Sequence, residues 1–309
     1  MTRNELYYLI KPLVPRPIQI MLRSRVARWQ RRRCGAIWPI DERAGNPPPG
    51  WKGWPDGKKF AFVLLHDVDT FKGHEKVRDL AALEERLGFR SSFNFVPEGY
   101  PVSPELRAEL KDRGFEVGVH GLVHDGRLFS NRELFLKRAA KINRYIKEWG
   151  AVGFSSPSMH HKLEWMHEID MEYDISTFDT DPFEPQPDPA RTIFPFWYQQ
   201  SPSHRGFVEI PYTLAQDFTL FILLKEKDTS IWRQKLDWIA QKGGLALLDT
   251  HPDYMTFSGA KPCLAEYPAD FYEDFLYYTK TQYCGAYWHV LPRDLVLLEN
   301  QCPFMLRSL

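Results

Sequence analysis

The sequence predicts an α/β fold, with parallel strands alternating with helices in a sheet that is either open or closed into a barrel. Three observations carry this. Short apolar runs recur along most of the chain, with helix-like stretches between them. The first of these runs, Phe60 to Leu65, is continuously apolar, as a strand buried on both faces must be. Several runs end abruptly in ionisable or polar residues, which is how an α/β sheet furnishes a site at the C-terminal ends of its strands.

The elements follow in order. Residues 18–33 are expected to form a basic helix with Ile18, Met21, Leu22, Val26 and Trp29 near one side. Such a helix lies on an anionic membrane, docks on a partner, or packs on the main domain with a solvated basic face. Residues 44–57, AGNPPPGWKGWPDG, read as a connector rich in Pro and Gly. This divides the chain into a basic extension with its connector over 1–50 and a catalytic unit over 51–309. Strand 60–65 is followed by a helix over 75–87 and a strand over 91–96. Ser103 then Pro104 resembles an N-cap followed by a first-turn proline, and Gly114 closes that helix. A strand over 115–119, a helix over 131–149 and a short strand over 152–154 come next. Further strands are expected over 172–177, 207–212, 245–249 and 286–290, with a helix over 229–242. The stretch 182–195 holds five prolines and reads as a loop.

Composition bounds the function. The 309 residues suit one large domain or two small ones, and 43% of them are hydrophobic, enough for a core. Net charge is zero, so the whole chain has no bulk attraction to nucleic acid. The charge is unevenly placed, however. Residues 1–33 carry nine basic groups against Glu5 alone, a net +8, which leaves −8 for the remainder. Cys34, Cys263, Cys284 and Cys302 form no C-x-x-C pair, which fits a reduced compartment. No signal-peptide pattern and no run of about 18 apolar residues is present. The expectation is a cytoplasmic protein, with peripheral contact to the inner membrane face through residues 1–33.

The polar strand ends carry the chemistry. Strand 60–65 runs into His66, Asp67, Val68 and Asp69. Strand 115–119 runs into His120 and, four residues on, His124. Strand 152–154 leads to Ser155 and Ser158, and strand 245–248 to Asp249, His251 and Asp253. An H-x-x-x-H spacing alone is weak, because ten histidines in 309 positions give roughly 0.3 such pairs by chance. On a helical turn, two such imidazoles point the same way and can share one ion. Placement at a strand end, with Asp-x-Asp at another, favours a metal site of Asp69, His120 and His124. Two histidines and a carboxylate leave positions open for water, the pattern of a catalytic centre. A divalent cation there lowers the pKa of its water and polarises a carbonyl. Asp67 and Asp69 flank Val68 and point the same way on extended chain, so one can ligate while the other acts as base. His251 is the candidate acid for a leaving amine. Zinc is the default ion, and iron, cobalt or nickel also suit these ligands.

The ordered set Asp67, Asp69, His120, His124 and His251 resembles the polysaccharide deacetylase family, the NodB-homology domain, over residues 58–255. The resemblance implies a deformed (β/α) barrel of about seven strands, with Asp67 as catalytic base, Asp69, His120 and His124 as metal ligands, and His251 as catalytic acid. It also implies that the Ser158 N–H faces the oxyanion. The aspartate that tunes the late histidine would be Asp179 or Asp181, in the segment Asp179-Thr180-Asp181. The implied activity is hydrolysis of an N-acetyl group on a sugar or glycan. The chain departs from the family where Arg-x-Pro-x-Gly becomes Ser155-Ser156-Pro157-Ser158-Met159, and where the usual Leu before the late histidine becomes Asp249. These departures keep two other readings open: hydrolysis of a non-sugar C–N bond, as in allantoinase-like relatives, and a non-catalytic glycan-binding protein at the membrane face.

Overall fold

A computed structural model describes residues 14–257 and 259–301. The first thirteen residues of the basic extension and Cys302 lie outside the described residues. Helix α1 spans Arg16–Arg33, with Pro17 in its first turn. Strand β1 (Phe60–Val68) leads into α2 (Phe71–Leu87), which starts one turn earlier than expected. Then come β2 (Ser92–Phe95), α3 (Pro104–Asp112), β3 (Glu116–His120), α4 (Arg132–Trp149), β4 (Gly153–Ser155), the short α5 (Leu163–Met166) and β5 (Tyr173–Asp174). Strands β6 (Phe196–Tyr198) and β7 (Phe207–Glu209) precede a π-helix (Phe218–Leu224), α6 (Ser230–Lys242) and β8 (Leu245–Thr250). Last come β9 (Met255–Thr256), β10 (Tyr267–Pro268), α7 (Asp270–Gln282), β11 (Tyr287–His289) and α8 (Pro292–Gln301).

Capping fixes several of these boundaries. Ser103 Oγ accepts from the Leu106 N–H at 3.1 Å, and Asn131 Oδ1 from the Leu134 N–H at 2.8 Å. The π-helix, α7 and the antiparallel β6 have no counterpart in the sequence reading. The π-helix is a buried apolar run, FTLFILL, whose periodicity marks no face.

The main sheet has nine strands in the order β11-β1-β2-β3-β4-β5-β7-β6, with β8 also pairing β1. All pairs are parallel except β6 with β7. Parallel bridges from Phe178 to Tyr212 and from Leu214 to Leu248 carry the sheet round toward β8. The result is a curled, mostly parallel half-barrel with helices outside, a deformed barrel. Strand alternation divides its core in two. Ala61, Val63 and Leu65 of β1 join Leu245 and Leu247 of β8 in an inner cluster with Tyr173, Val208 and Tyr212. Phe60, Phe62 and Leu64 join the larger outer cluster against the helices. By the same alternation, Asp67 and Asp249 continue the inward-facing series, whereas His66 points outward. There His66 meets Thr250 Oγ1 and Glu84 Oε1, each at 2.8 Å, in a buried network away from the site.

Candidate active site

The candidate residues gather where the strands end. Asp67 and Asp69 lie at the end of β1, His120 closes β3, Ser155 closes β4, and Asp249 and His251 lie at the end of β8. His120 and His124 do not share a helical turn. The chain after β3 bends, Gly121 takes φ 60°, and His124 returns with its ring 5.5 Å from that of His120. Only glycine adopts that backbone at little cost.

The metal-ligating geometry is compact. Asp69 Oδ1 lies 3.4 Å from His120 Nε2 and 3.3 Å from His124 Nε2. Ligands at the bond lengths typical of zinc sit about 3.4 Å apart around a tetrahedral ion. Asp69 Oδ1 is buried and accepts no hydrogen bond. A buried carboxylate oxygen without a donor is costly, and a cation removes that cost. Burial works against charge on Asp69, but His124 and His120 outweigh it and hold the carboxyl well below its usual range. The donor set therefore fits a divalent cation.

The surroundings of Asp67 are built across four adjacent strands. Asp67, Asn94 and Gly118 stand in register on β1, β2 and β3, and His120 pairs with Ser155 across β3 and β4. Ser155 Oγ donates to Asp67 Oδ1 at 2.8 Å. Asn94 Nδ2 donates to Ser155 Oγ at 3.0 Å and to Asp67 Oδ1 at 3.2 Å. His120 Nδ1 lies 2.7 Å from the same Ser155 oxygen. The serine hydroxyl thus gives its one proton to Asp67 and accepts from Asn94 and His120. This puts a proton on His120 Nδ1, so that Nε2, which faces Asp69, is the nitrogen left to bind an ion when the ring is neutral. Gly118 is required here, because a Cβ at that position would meet Asn94 Oδ1 at 2.0 Å. Where the resemblance has an arginine beside the base, this chain has two neutral donors, Ser155 and Asn94.

His251 is held by charge. His251 Nδ1–H donates to Asp217 Oδ1 at 2.8 Å, and the His251 backbone N–H donates to Asp217 Oδ2 at 2.9 Å. Tyr267 adds a third bond to the same carboxylate at 3.0 Å. Burial opposes a charge on the imidazole, but Asp217 and Asp249 outweigh it, and His251 is held well above its ordinary pKa. Asp217 is the cap of the π-helix, so that unforeseen element sets the histidine.

This corrects the expectation for Asp179 and Asp181. Asp179 is buried in an ion pair with Lys235, Nζ to Oδ2 at 2.5 Å, and Lys235 also donates to the Pro39 carbonyl. Asp181 caps its own loop by accepting from the Phe183 N–H. Neither bonds His251. Only long-range packing brings Asp217 to the histidine, and no local pattern marks it.

Three further features surround the site. Asp249 is fully buried, and its carboxyl is held well above the usual range by burial and by Asp67 beside it. Asp253 accepts from the Asp69 N–H at 3.0 Å and fixes the turn that presents Asp69. Ser158 and Met159 both take left-handed backbone, φ 59° and 51°. Two such non-glycine residues in succession store strain of about 1–3 kcal/mol each. A separate hollow of about 470 Å³ beside Lys59, Asp237, Lys242 and Tyr283 lies at the other end of β1 and β8 and gathers no such set.

No protein-family model matches the sequence, and no curated protein matches it. Solved structures do match its fold. A chain assigned as a polysaccharide deacetylase from Mycobacterium smegmatis is 16% identical with a TM-score of 0.65, over 85% of this chain and 98% of that one. Puue allantoinase is 13% identical with a TM-score of 0.64, over 86% and 98%. A chain assigned as a polysaccharide deacetylase from Pseudomonas aeruginosa PAO1 is 16% identical with a TM-score of 0.62, over 86% and 99%. The fold is the one these deacetylases and the allantoinase share.

Proposed function

We propose that this protein is a metal-dependent hydrolase that cleaves the amide of an N-acetylated sugar or glycan. The observation that carries the reading is Asp69 Oδ1, a buried carboxylate oxygen that accepts no hydrogen bond and lies between two imidazole nitrogens. Asp69, His120 and His124 would hold the ion, zinc first, with iron, cobalt or nickel also suited to the set. Such an ion polarises the substrate carbonyl and makes a bound water acidic near neutral pH.

The chain's own groups supply the rest. Asp67 takes the proton of the attacking water, with Ser155 and Asn94 fixing which oxygen is free to do so. His251 donates a proton to the departing nitrogen, and Asp217 keeps that proton in place at neutral pH. The Ser158 backbone N–H, in the left-handed turn after β4, would be the donor to the carbonyl oxygen as charge builds there, as the resemblance implies. Base and acid face each other across the site, with one ligand atom each from Asp67, Asp249 and His251 within 4.8 Å of one another.

A second reading, hydrolysis of a non-sugar C–N bond, is favoured by Asp249, fully buried beside Asp67 and His251 with one carboxyl oxygen unbonded. It makes the ground beneath the site more polar than an apolar residue would. A substrate panel separates the two. Metal-loaded protein is expected to release acetate from N-acetylated oligosaccharides or nucleotide-linked sugars. Turnover of ureides with no acetate release would replace the first reading with the second. Metal retained with no turnover of any amide would remove both.

A further inference from the structure

We infer that the outer face of α1 is a docking surface for an anionic lipid bilayer, on which the protein lies without crossing it. This inference is independent of the catalytic reading. Helix α1 has two faces with different fates. Its inner face, Ile20, Ser24 and Ala27, is buried on the barrel, and Ser24 Oγ donates to the Leu223 carbonyl at 2.6 Å. Arg23 stacks on Phe218 of the π-helix at 4.7 Å, and Arg31 pairs with Glu226. These contacts fix the rotation of the helix about its axis.

At 3.6 residues per turn, Ile18, Leu22 and Trp29 then fall opposite Ile20 and Ala27, with Met21 and Val26 flanking them. They are exposed to solvent by 43%, 49%, 55%, 45% and 54% respectively. Five of the eleven exposed large apolar side chains among the described residues therefore stand on this one helix. A soluble surface scatters such residues, and clustering them marks an interaction face.

Charge selects the occupant. Seven arginines and no acidic residue lie between Arg16 and Arg33. Arg23 and Arg31 are used inward, and Arg16, Arg25, Arg28, Arg32 and Arg33 are exposed. The last four are interleaved with the apolar residues, and Arg33 lies 4.4 Å over the Trp29 ring. Apolar side chains with a tryptophan, set among guanidinium groups, match the boundary between lipid headgroups and acyl chains. A protein groove would offer carboxylates at fixed spacing, whereas a bilayer offers diffuse negative charge above hydrocarbon and satisfies both features at once. No helix among the described residues is long and apolar enough to cross a membrane, so the contact is with the surface.

The test is co-sedimentation of the full chain with vesicles of phosphatidylcholine alone or mixed with phosphatidylglycerol. Binding is expected to the mixed vesicles only, and to weaken steeply as salt rises from 50 to about 500 mM. The Leu22→Glu, Trp29→Glu double variant is expected to bind at least about tenfold more weakly. Its melting profile should be unchanged, because both side chains are about half exposed on the face turned away from the barrel. Arg25→Glu with Arg28→Glu keeps the apolar face and should abolish the preference for anionic lipid. Equal binding to neutral vesicles, or none to either, overturns the proposal. So does a dimer in solution that Leu22→Glu, Trp29→Glu converts to monomer, which would make a second copy the occupant.

Discussion

The two sides of the candidate site hold their working groups by different means. On the β1–β4 side, Asp67 is fixed by neutral donors, Ser155 and Asn94, set in register by strand pairing. On the β8 side, His251 is fixed by a full negative charge, Asp217, supplied by a π-helix. On the proposed mechanism the difference matches what each group would do. Asp67 would need to be oriented, and two hydrogen bonds to one of its oxygens do that. An acid must keep its proton at neutral pH, and a buried imidazole does so only beside a negative charge.

Four experiments break or sharpen this contrast. The largest effect falls on the candidate metal ligands, on which the proposed roles of both sides depend. Asp69→Ala or His124→Ala should remove bound metal and lower kcat/KM by about a thousandfold or more, read by metal analysis and acetate release. Full activity in either variant breaks the assignment.

Next comes Asp217→Asn, expected to cost about 10- to 100-fold in turnover. Its signature is in the pH profile. Asp217 raises the His251 pKa, so removing its charge lowers that pKa and the imidazolium is lost earlier as pH rises. The alkaline limb of kcat should move to lower pH while the acid limb stays. An unmoved alkaline limb would mean that His251 is not the acid.

Smaller still is Asn94→Ala, expected to lower kcat about tenfold through a less well oriented Asp67, with KM and bound metal unchanged. Loss of metal instead would show that Asn94 acts through Ser155 and His120.

Asp179→Ala should do least to catalysis. It leaves Lys235 buried without its partner, so the expected cost is about 3–5 kcal/mol of stability with the pH–rate profile unmoved. Denaturant unfolding and the pH profile read the two effects separately. A shifted profile would restore Asp179 to the site.

Much of this was legible from local pattern. The run Phe60 to Leu65 marked a buried strand, and the polar residues after it marked the site end of the sheet. Asp67, Asp69, His120, His124 and His251 could be named because they stand within a few residues of the ends of apolar runs and fall in the order of a known family. Asn94 was not legible as more than a polar residue in a short strand, since only its register with Asp67 and Gly118 gives it a role. The apolar residues of α1 could be grouped on one side, but not oriented until Ser24 and Arg23 were seen to face the barrel.

The sequence by itself determined the periodic and the contiguous: strands, helix caps, the arginine-rich helix, and the candidates at strand ends. These depend on interactions within a few residues. The tertiary structure alone decided the partners. His251 reaches 34 residues back to Asp217, Asn94 reaches 27 residues back to Asp67, and Asp179 turns to Lys235, 56 residues on. Such pairings depend on how a curled sheet closes and how a π-helix packs beneath it, and no spacing along the chain encodes that distance.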